Sequence, residues 1–127
     1  MIDKPTPAQS VIEWTPSRML ARLDGDLELA QQLAAIFIEE CPNMLQRLRT
    51  AVAEGATDEV RRAAHALKGS LSNFIDGGPT ATAFELETMG RDGQLDGTAH
   101  ALERLESEIA GLTVRLRVFQ STRAKAS

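Results

Sequence analysis

The sequence is poor in the residues that build sheets, disulfides and membrane spans. It has no Tyr, one Trp and 4% aromatic residues overall, and it lacks the Val/Ile/Thr/Tyr runs that mark strands. A single cysteine, Cys41, excludes an internal disulfide and fits a reducing compartment. No apolar run approaches the roughly 18 residues that a bilayer requires, and the start Met1-Ile2-Asp3-Lys4-Pro5 carries no signal-peptide core. A cytoplasmic location without membrane insertion is expected. Positive charge is also outweighed by negative: the formal net charge of −4 argues against a nucleic-acid binder that works by broad phosphate neutralisation. His-Glu-x-x-His, Glu-x-x-His and paired cysteines are missing, so no metal site and no resident cofactor are expected. Without Gly-x-x-x-x-Gly-Lys-Ser/Thr there is no nucleotide signature, and the chain is not expected to phosphorylate itself from ATP.

What remains is helical periodicity. A chain of 127 residues with 43% hydrophobic residues is one domain by size, able to bury a single core. Residues 1–13, with Pro5, Pro7 and Ser10, read as a loose arm. Thr15-Pro16 reads as N-cap and first position of a short helix to about Leu23, with Met19, Leu20 and Leu23 on one side and Trp14 as its staple. Asp24-Gly25-Asp26 ends it and caps the next helix. That helix runs to about Ala53 with Leu29, Leu33, Ile36, Phe37, Cys41, Met44, Leu45, Leu48 and Val52 spaced by three and four. Pro42 interrupts it at a cost of about 3 kcal/mol, yet the stripe keeps its phase, so a single bent helix is expected, with Cys41 a small core residue. Glu54-Gly55-Ala56 closes it. Thr57 then caps a third helix that carries Asp58 and Glu59 in its first turn and stops near Ile75, before Asp76-Gly77-Gly78-Pro79. A fourth runs from Pro79 to about Gly90 with Ala83, Phe84, Leu86 and Met89 as apolar candidates. The last spans about Leu95 to Phe119 with Leu102, Leu105, Ile109, Leu112, Leu116 and Phe119 as a bundle seam, and the tail 120–127 lacks apolar residues. Four long patterns joined by short turns imply an all-α, antiparallel up-down four-helix bundle over 14–119, with a short additional N-terminal helix over one end. One apolar stripe per helix requires no second copy to cover it, so a monomer is expected.

The third helix has an odd outer face. Val60, Ala63, Leu67, Leu71 and Phe74 fall on one side, and His65 lies roughly opposite, among Arg61, Arg62, Lys68, Gly69 and Ser72. A mid-helix Gly costs about 0.8–1.0 kcal/mol relative to Ala, and Ser70, Ser72 and Asn73 are also weak helix formers. Gly69 lies one turn after His65, so the helix gives up stability where a missing side chain lets another surface approach the ring. His100 has no such surroundings and reads as solvated.

His65-Ala66-Leu67-Lys68-Gly69-Ser70, with Ala64 before it and Asn73 after, resembles the phosphoacceptor motif of histidine phosphotransfer (HPt) domains, helical bundles that carry a phosphoryl group between receiver domains of two-component phosphorelays. The likeness extends from about Trp14 to about Leu116 in the order and lengths of the helical patterns. It implies that His65 accepts a phosphoryl group from a receiver aspartyl phosphate and passes it to another receiver aspartate. Receiver domains and a sensor histidine kinase, in some systems a hybrid one, are the implied partners, with magnesium supplied by the receiver. Lys68, on the same face, is then expected to offset phosphoryl charge. Arg61 and Arg62 either add to that field, meet the acidic pocket of a receiver, or are simply solvated; Gly69 and Ser72 would belong to the docking surface. In HPt-like domains a Glu or Gln about 22 residues after the histidine approaches the ring. Glu87 stands at that spacing, where it reads equally as a solvent-facing carboxylate. Many family members have Gly two residues after the Asn, where this chain has Ile75, followed by the Gly77-Gly78-Pro79 break. The alternative function is a helical adaptor that binds a signalling partner through the His65 face with no phosphoryl transfer.

Overall fold

The computed structural model describes residues 14–122, which form five helices and no strand. The arm expected over 1–13 and the tail beyond 122 lie outside the described residues. Helix α1 (Ser17–Arg22) ends where Asp24 and Gly25 take positive φ, at 55° and 78°. Asp26 then caps α2 (Leu27–Glu54), its carboxylate accepting the Leu29 amide at 3.0 Å. Pro42 sits inside α2, which continues as one helix, and Gly55 closes it in the left-handed conformation at φ 64°. Helix α3 spans Thr57–Leu71, α4 Pro79–Asp92 and α5 Thr98–Ser121.

Five boundaries differ from the sequence expectation, each for a local reason. Pro16 is the cap position of α1, with Ser17 its first helical residue. Ala56, not Thr57, is the cap of α3, and no side chain serves it; Thr57 is the first helical residue, while Asp58 and Glu59 supply negative charge to the first turn. At the other end the helix stops at Leu71 rather than Ile75. The Ser72 hydroxyl donates to Gly69 O at 2.8 Å and the chain passes into a tighter turn, with Phe74 N bonding Leu71 O, the local competition expected of Ser and Asn. In α4 the left-handed cap is Gly93, at φ 70°, and Gly90 is an interior, buried helical residue. Leu95 precedes α5, which starts only after Gly97 at φ 88°.

Cross-helix contacts fix the directions. Along α2, Phe37 meets Phe74, Met44 meets Ser70 and Arg47 meets Glu59, so the order on the α3 side runs backwards. Gln31 and Arg49 of α2 pair with Phe119 and Glu106 of α5, and Thr82 and Glu85 of α4 with Glu108 and Arg104 of α5, again in reverse order. The four long helices therefore make an antiparallel ring, α2 to α3 to α4 to α5 and back to α2.

The core is formed by one stripe from each helix. Val60, Ala63, Leu67, Leu71 and Phe74 from the α3 segment and Leu102, Leu105, Ile109, Leu112, Leu116 and Phe119 from α5 are all buried, as their spacing indicates. On α2 the buried line is shifted from the expected one. Ala30, Ala34, Phe37, Cys41, Leu45, Leu48 and Ala51 face inwards, whereas Leu29 and Ile36 are exposed; the small alanines let the neighbouring helices come close and leave the larger residues flanking the seam. Burial pushes the Cys41 thiol up to about 11, consistent with a core residue.

Helix α1 is tied to one end of this ring. Trp14 Nε1 donates to Phe74 O at 2.7 Å and its ring meets Phe119 edge-on at 5.7 Å, while Arg18 pairs with Asp76 at 2.5 Å. Trp14 thus holds the end of α3 as well as α1. Ile75, at the position where a family glycine was noted, is half-buried against the core, and its carbonyl accepts the Thr80 hydroxyl at 2.7 Å, which anchors the turn into α4. Truncation of a fully buried seam residue, Leu112→Ala, is expected to cost about 2–5 kcal/mol in urea unfolding, while Val118→Ala, at a site 62% exposed, should stay within about 0.5 kcal/mol of the parent.

Candidate functional site

The site is assembled from α3 and α4, the two helices in closest register. Moving along α3 from Arg61 through His65 to Lys68, the partners on α4 run from Gly90 through Glu87 to Phe84. The inward positions of α3 are committed to the core, so His65 emerges on the opposite side with its side chain 64% exposed.

Glu87 is the centre of the arrangement. It is not a solvent-facing helix carboxylate: its side chain is only 17% exposed, with Oε2 3.1 Å from His65 Nδ1 and Oε1 2.7 Å from Lys68 Nζ. An ionised carboxylate has no proton to give, so the contact at Nδ1 requires the imidazole to carry its hydrogen there and to donate it. In the neutral ring, Nε2 then holds the free lone pair. Desolvation alone would raise the Glu87 carboxyl, but the hydrogen bonds from Lys68 and His65 outweigh it and hold the group below its ordinary value of 4.5. Glu87 is therefore ionised at neutral pH.

Lys68 is the second partner. Its side chain is 27% exposed, and its ammonium lies 4.9 Å from the centroid of the Phe84 ring. Phe84, expected among the apolar candidates of α4, is 51% exposed and belongs to this surface, its ring beneath the Lys68 ammonium. Spacing on α4 alone did not separate it from Leu86, which is fully buried. Its position three residues before Glu87 was the signal available in the sequence.

The remaining positions serve different ends. Arg61 and Arg62 both pair with Asp58 of their own helix, each at 2.9 Å, so part of the positive field expected around His65 is neutralised locally. Gly69 is exposed, and a Cβ there would meet nothing within 4 Å. The Ser72 hydroxyl is engaged by Gly69 O. His100 is exposed on α5. No group of His, Cys, Asp and Glu among the described residues is arranged to hold a metal ion.

A family model for the Hpt domain matches residues 32–113, more than half of the chain, and the chain belongs to the Hpt domain family. Domains of this family carry phosphoryl groups on histidine in phosphorelays, working with receiver domains and histidine kinases of two-component systems. The matched span contains His65, Lys68 and Glu87, whereas Trp14 and α1 precede it. Comparisons with curated proteins and with solved structures give no match. No helix among the described residues is long and apolar enough to cross a membrane.

The depressed carboxyl of Glu87 has a pH signature. Because it ionises more readily in the folded chain, its contribution to stability is complete above the ordinary value of 4.5 and is lost as pH falls through the lower folded value. Urea midpoints of the parent and of Glu87→Gln are expected to differ at pH 7 in favour of the parent and to converge only once pH has fallen through the lowered folded value of Glu87.

Proposed function

We propose that this domain is a phosphorelay carrier in which His65 accepts a phosphoryl group from a receiver aspartyl phosphate and returns it to a second receiver aspartate. The observation that carries the reading is the Glu87 contact at Nδ1, 3.1 Å long, which in the neutral ring leaves the lone pair on Nε2 for the nucleophile. In the forward step the Nε2 lone pair forms a bond to phosphorus as the bond from phosphorus to the aspartyl oxygen breaks, and the receiver recovers its carboxylate. Nδ1 keeps its hydrogen throughout. The positive charge gained by the ring sits against the Glu87 carboxylate, so no proton has to leave. In the second step an acceptor carboxylate attacks phosphorus, the Nε2–phosphorus bond breaks and its electron pair returns to the ring.

Lys68 serves the phosphoryl oxygens. Sharing Glu87 with the ring at 2.7 Å keeps its ammonium beside His65, where it offsets charge that arrives with the phosphoryl group. The catalytic magnesium and the acidic pocket are the receiver's, and the carrier works in the compartment of its receivers, the cytoplasm. Gly69 supplies clearance for the docking surface, and Arg62, 61% exposed, is placed to meet acidic side chains at its rim. A monomer suffices, since each helix buries its stripe within the ring.

The test is to mix the chain with a phosphorylated receiver and follow radiolabel through acid and alkali. Label that is acid-labile, stable to alkali and absent from His65→Gln is expected. A His65→Gln variant that keeps both binding and signalling output would favour the adaptor instead. Gly69→Leu is expected to keep or raise helix stability, by up to about 1 kcal/mol, while transfer from receivers falls to background; a Gly69→Leu chain that unfolds would mean that the glycine serves packing.

A further inference from the structure

Two glycines interrupt the helices that carry the site, and they meet opposite surroundings. At Gly69 an added Cβ has open space, whereas at Gly90 it would lie 2.6 Å from Arg61 N, 2.8 Å from Thr57 O and 3.0 Å from Arg61 Cα. All three are backbone atoms of α3 and cannot rotate aside. No positive φ calls for glycine at position 90, and α4 gains nothing from it as a helix, since Ala is the better helix former. Space is the remaining reason: at Gly90 the α4 backbone lies directly on the α3 backbone, a separation that a methyl group forbids.

That point of contact lies one turn from the chemistry on both helices. Gly90 follows Glu87 by three residues, and Arg61 precedes His65 by four, so backbone contact and carboxylate–imidazole contact lie on one seam. The small residues Ala63 and Ala64 of α3 and Ala83 of α4 are likewise buried. The hydrogen bond from His65 Nδ1 is 3.1 Å long, near the upper end of the range for a nitrogen donor. Raising a 2.6 Å contact to the ordinary 3.4 Å requires α4 to withdraw, and Glu87 withdraws with it.

We infer that Gly90 is a positioning residue for the relay histidine: by letting α3 and α4 touch, it brings Glu87 to His65 Nδ1 and so fixes which ring nitrogen carries the hydrogen. The inference deepens the carrier reading and rests on it for its consequence in transfer, but the hydrogen-bond geometry at the ring is measurable without any phosphoryl group.

The experiment is nitrogen-15 NMR of the His65 ring in the parent, Gly90→Ala, Glu87→Ala and the double variant, at a pH where the ring is neutral, beside transfer rates from a phosphorylated receiver. In the parent the ring is expected to hold its hydrogen at Nδ1. In Gly90→Ala, with the helical circular dichroism retained, the tautomer ratio should move to that of Glu87→Ala, and the double variant should show no further change. Transfer in Gly90→Ala should fall on the order of ten- to a hundredfold, the scale of a displacement of about 1 Å at a reacting centre. A folded Gly90→Ala chain with the parent's tautomer ratio would overturn the inference. If the variant does not fold in plain buffer, the spectra are taken in sucrose, which favours the folded state; failure to fold there too would assign Gly90 to packing and overturn the positioning role. A parent that shows the expected tautomer shifts but carries no phosphoryl group from any donor would leave the positioning role standing and sink the carrier reading instead.

Discussion

One carboxylate, partly withdrawn from solvent between two helices and shared by two cationic or cation-forming side chains, is the constraint on which the site depends. Glu87 holds His65 by Nδ1 and Lys68 by Nζ at the same time. A carboxylate free in solvent would do neither reliably, because water competes for each bond and the rotamer entropy of three long side chains opposes them. At 17% exposure competition is reduced and the carboxylate's two oxygens are divided, one to each partner. In the neutral ring this division puts the hydrogen on Nδ1, against Glu87, and the lone pair on Nε2.

The bundle exists at this point to hold that carboxylate still. Helix α3 cannot roll, because Val60, Leu67 and Leu71 are fully buried on its far side, and α4 cannot roll, because Leu86 beside Glu87 is fully buried too. The end of α3 is held as well, by the Trp14 bond to Phe74 O and the Arg18–Asp76 pair, so the segment between His65 and the turn is pinned from both ends. The glycines inside α3 and α4 each cost about 0.8–1.0 kcal/mol relative to alanine, and the structure gives each a different return: open space above Gly69, backbone contact beneath Gly90. Local stability is given up in two places around a single histidine, and the large leucine core offsets the loss.

Much of this was legible in the residues. The period of α3 separated the core face from His65, and the seam of α5 was readable from Leu102 to Phe119, because large aliphatic residues at steps of three and four leave little alternative. Helix α2 was harder. Its buried line includes Ala30, Ala34 and Ala51, which have too little apolar weight to stand out beside Leu29 and Ile36, so the stripe was placed off centre. Helix ends were displaced where backbone geometry rather than composition decides. Gly90 and Gly93 both look like stops, and only the left-handed φ of Gly93 distinguishes them. Spacing brought Glu87 forward only through a family resemblance; whether it turned towards solvent or towards His65 depended on the packing of α4 against α3, which periodicity within one helix does not contain. Phe84 was misplaced for the same reason, since a ring beneath an ammonium and a ring in a core have the same spacing on their own helix.

The central claim is that Glu87 reserves Nδ1 for hydrogen and leaves Nε2 for phosphorus. It is tested most directly by locating the phosphoryl group on the ring. The chain would be labelled with nitrogen-15 in histidine, phosphorylated at His65 with a small phosphodonor, and its phosphorus–nitrogen coupling assigned to one ring nitrogen by NMR. The account requires phosphorus on Nε2, with Nδ1 still bearing its hydrogen. Phosphorus on Nδ1 would contradict it, because that nitrogen would then have to leave the Glu87 carboxylate for the reaction to occur.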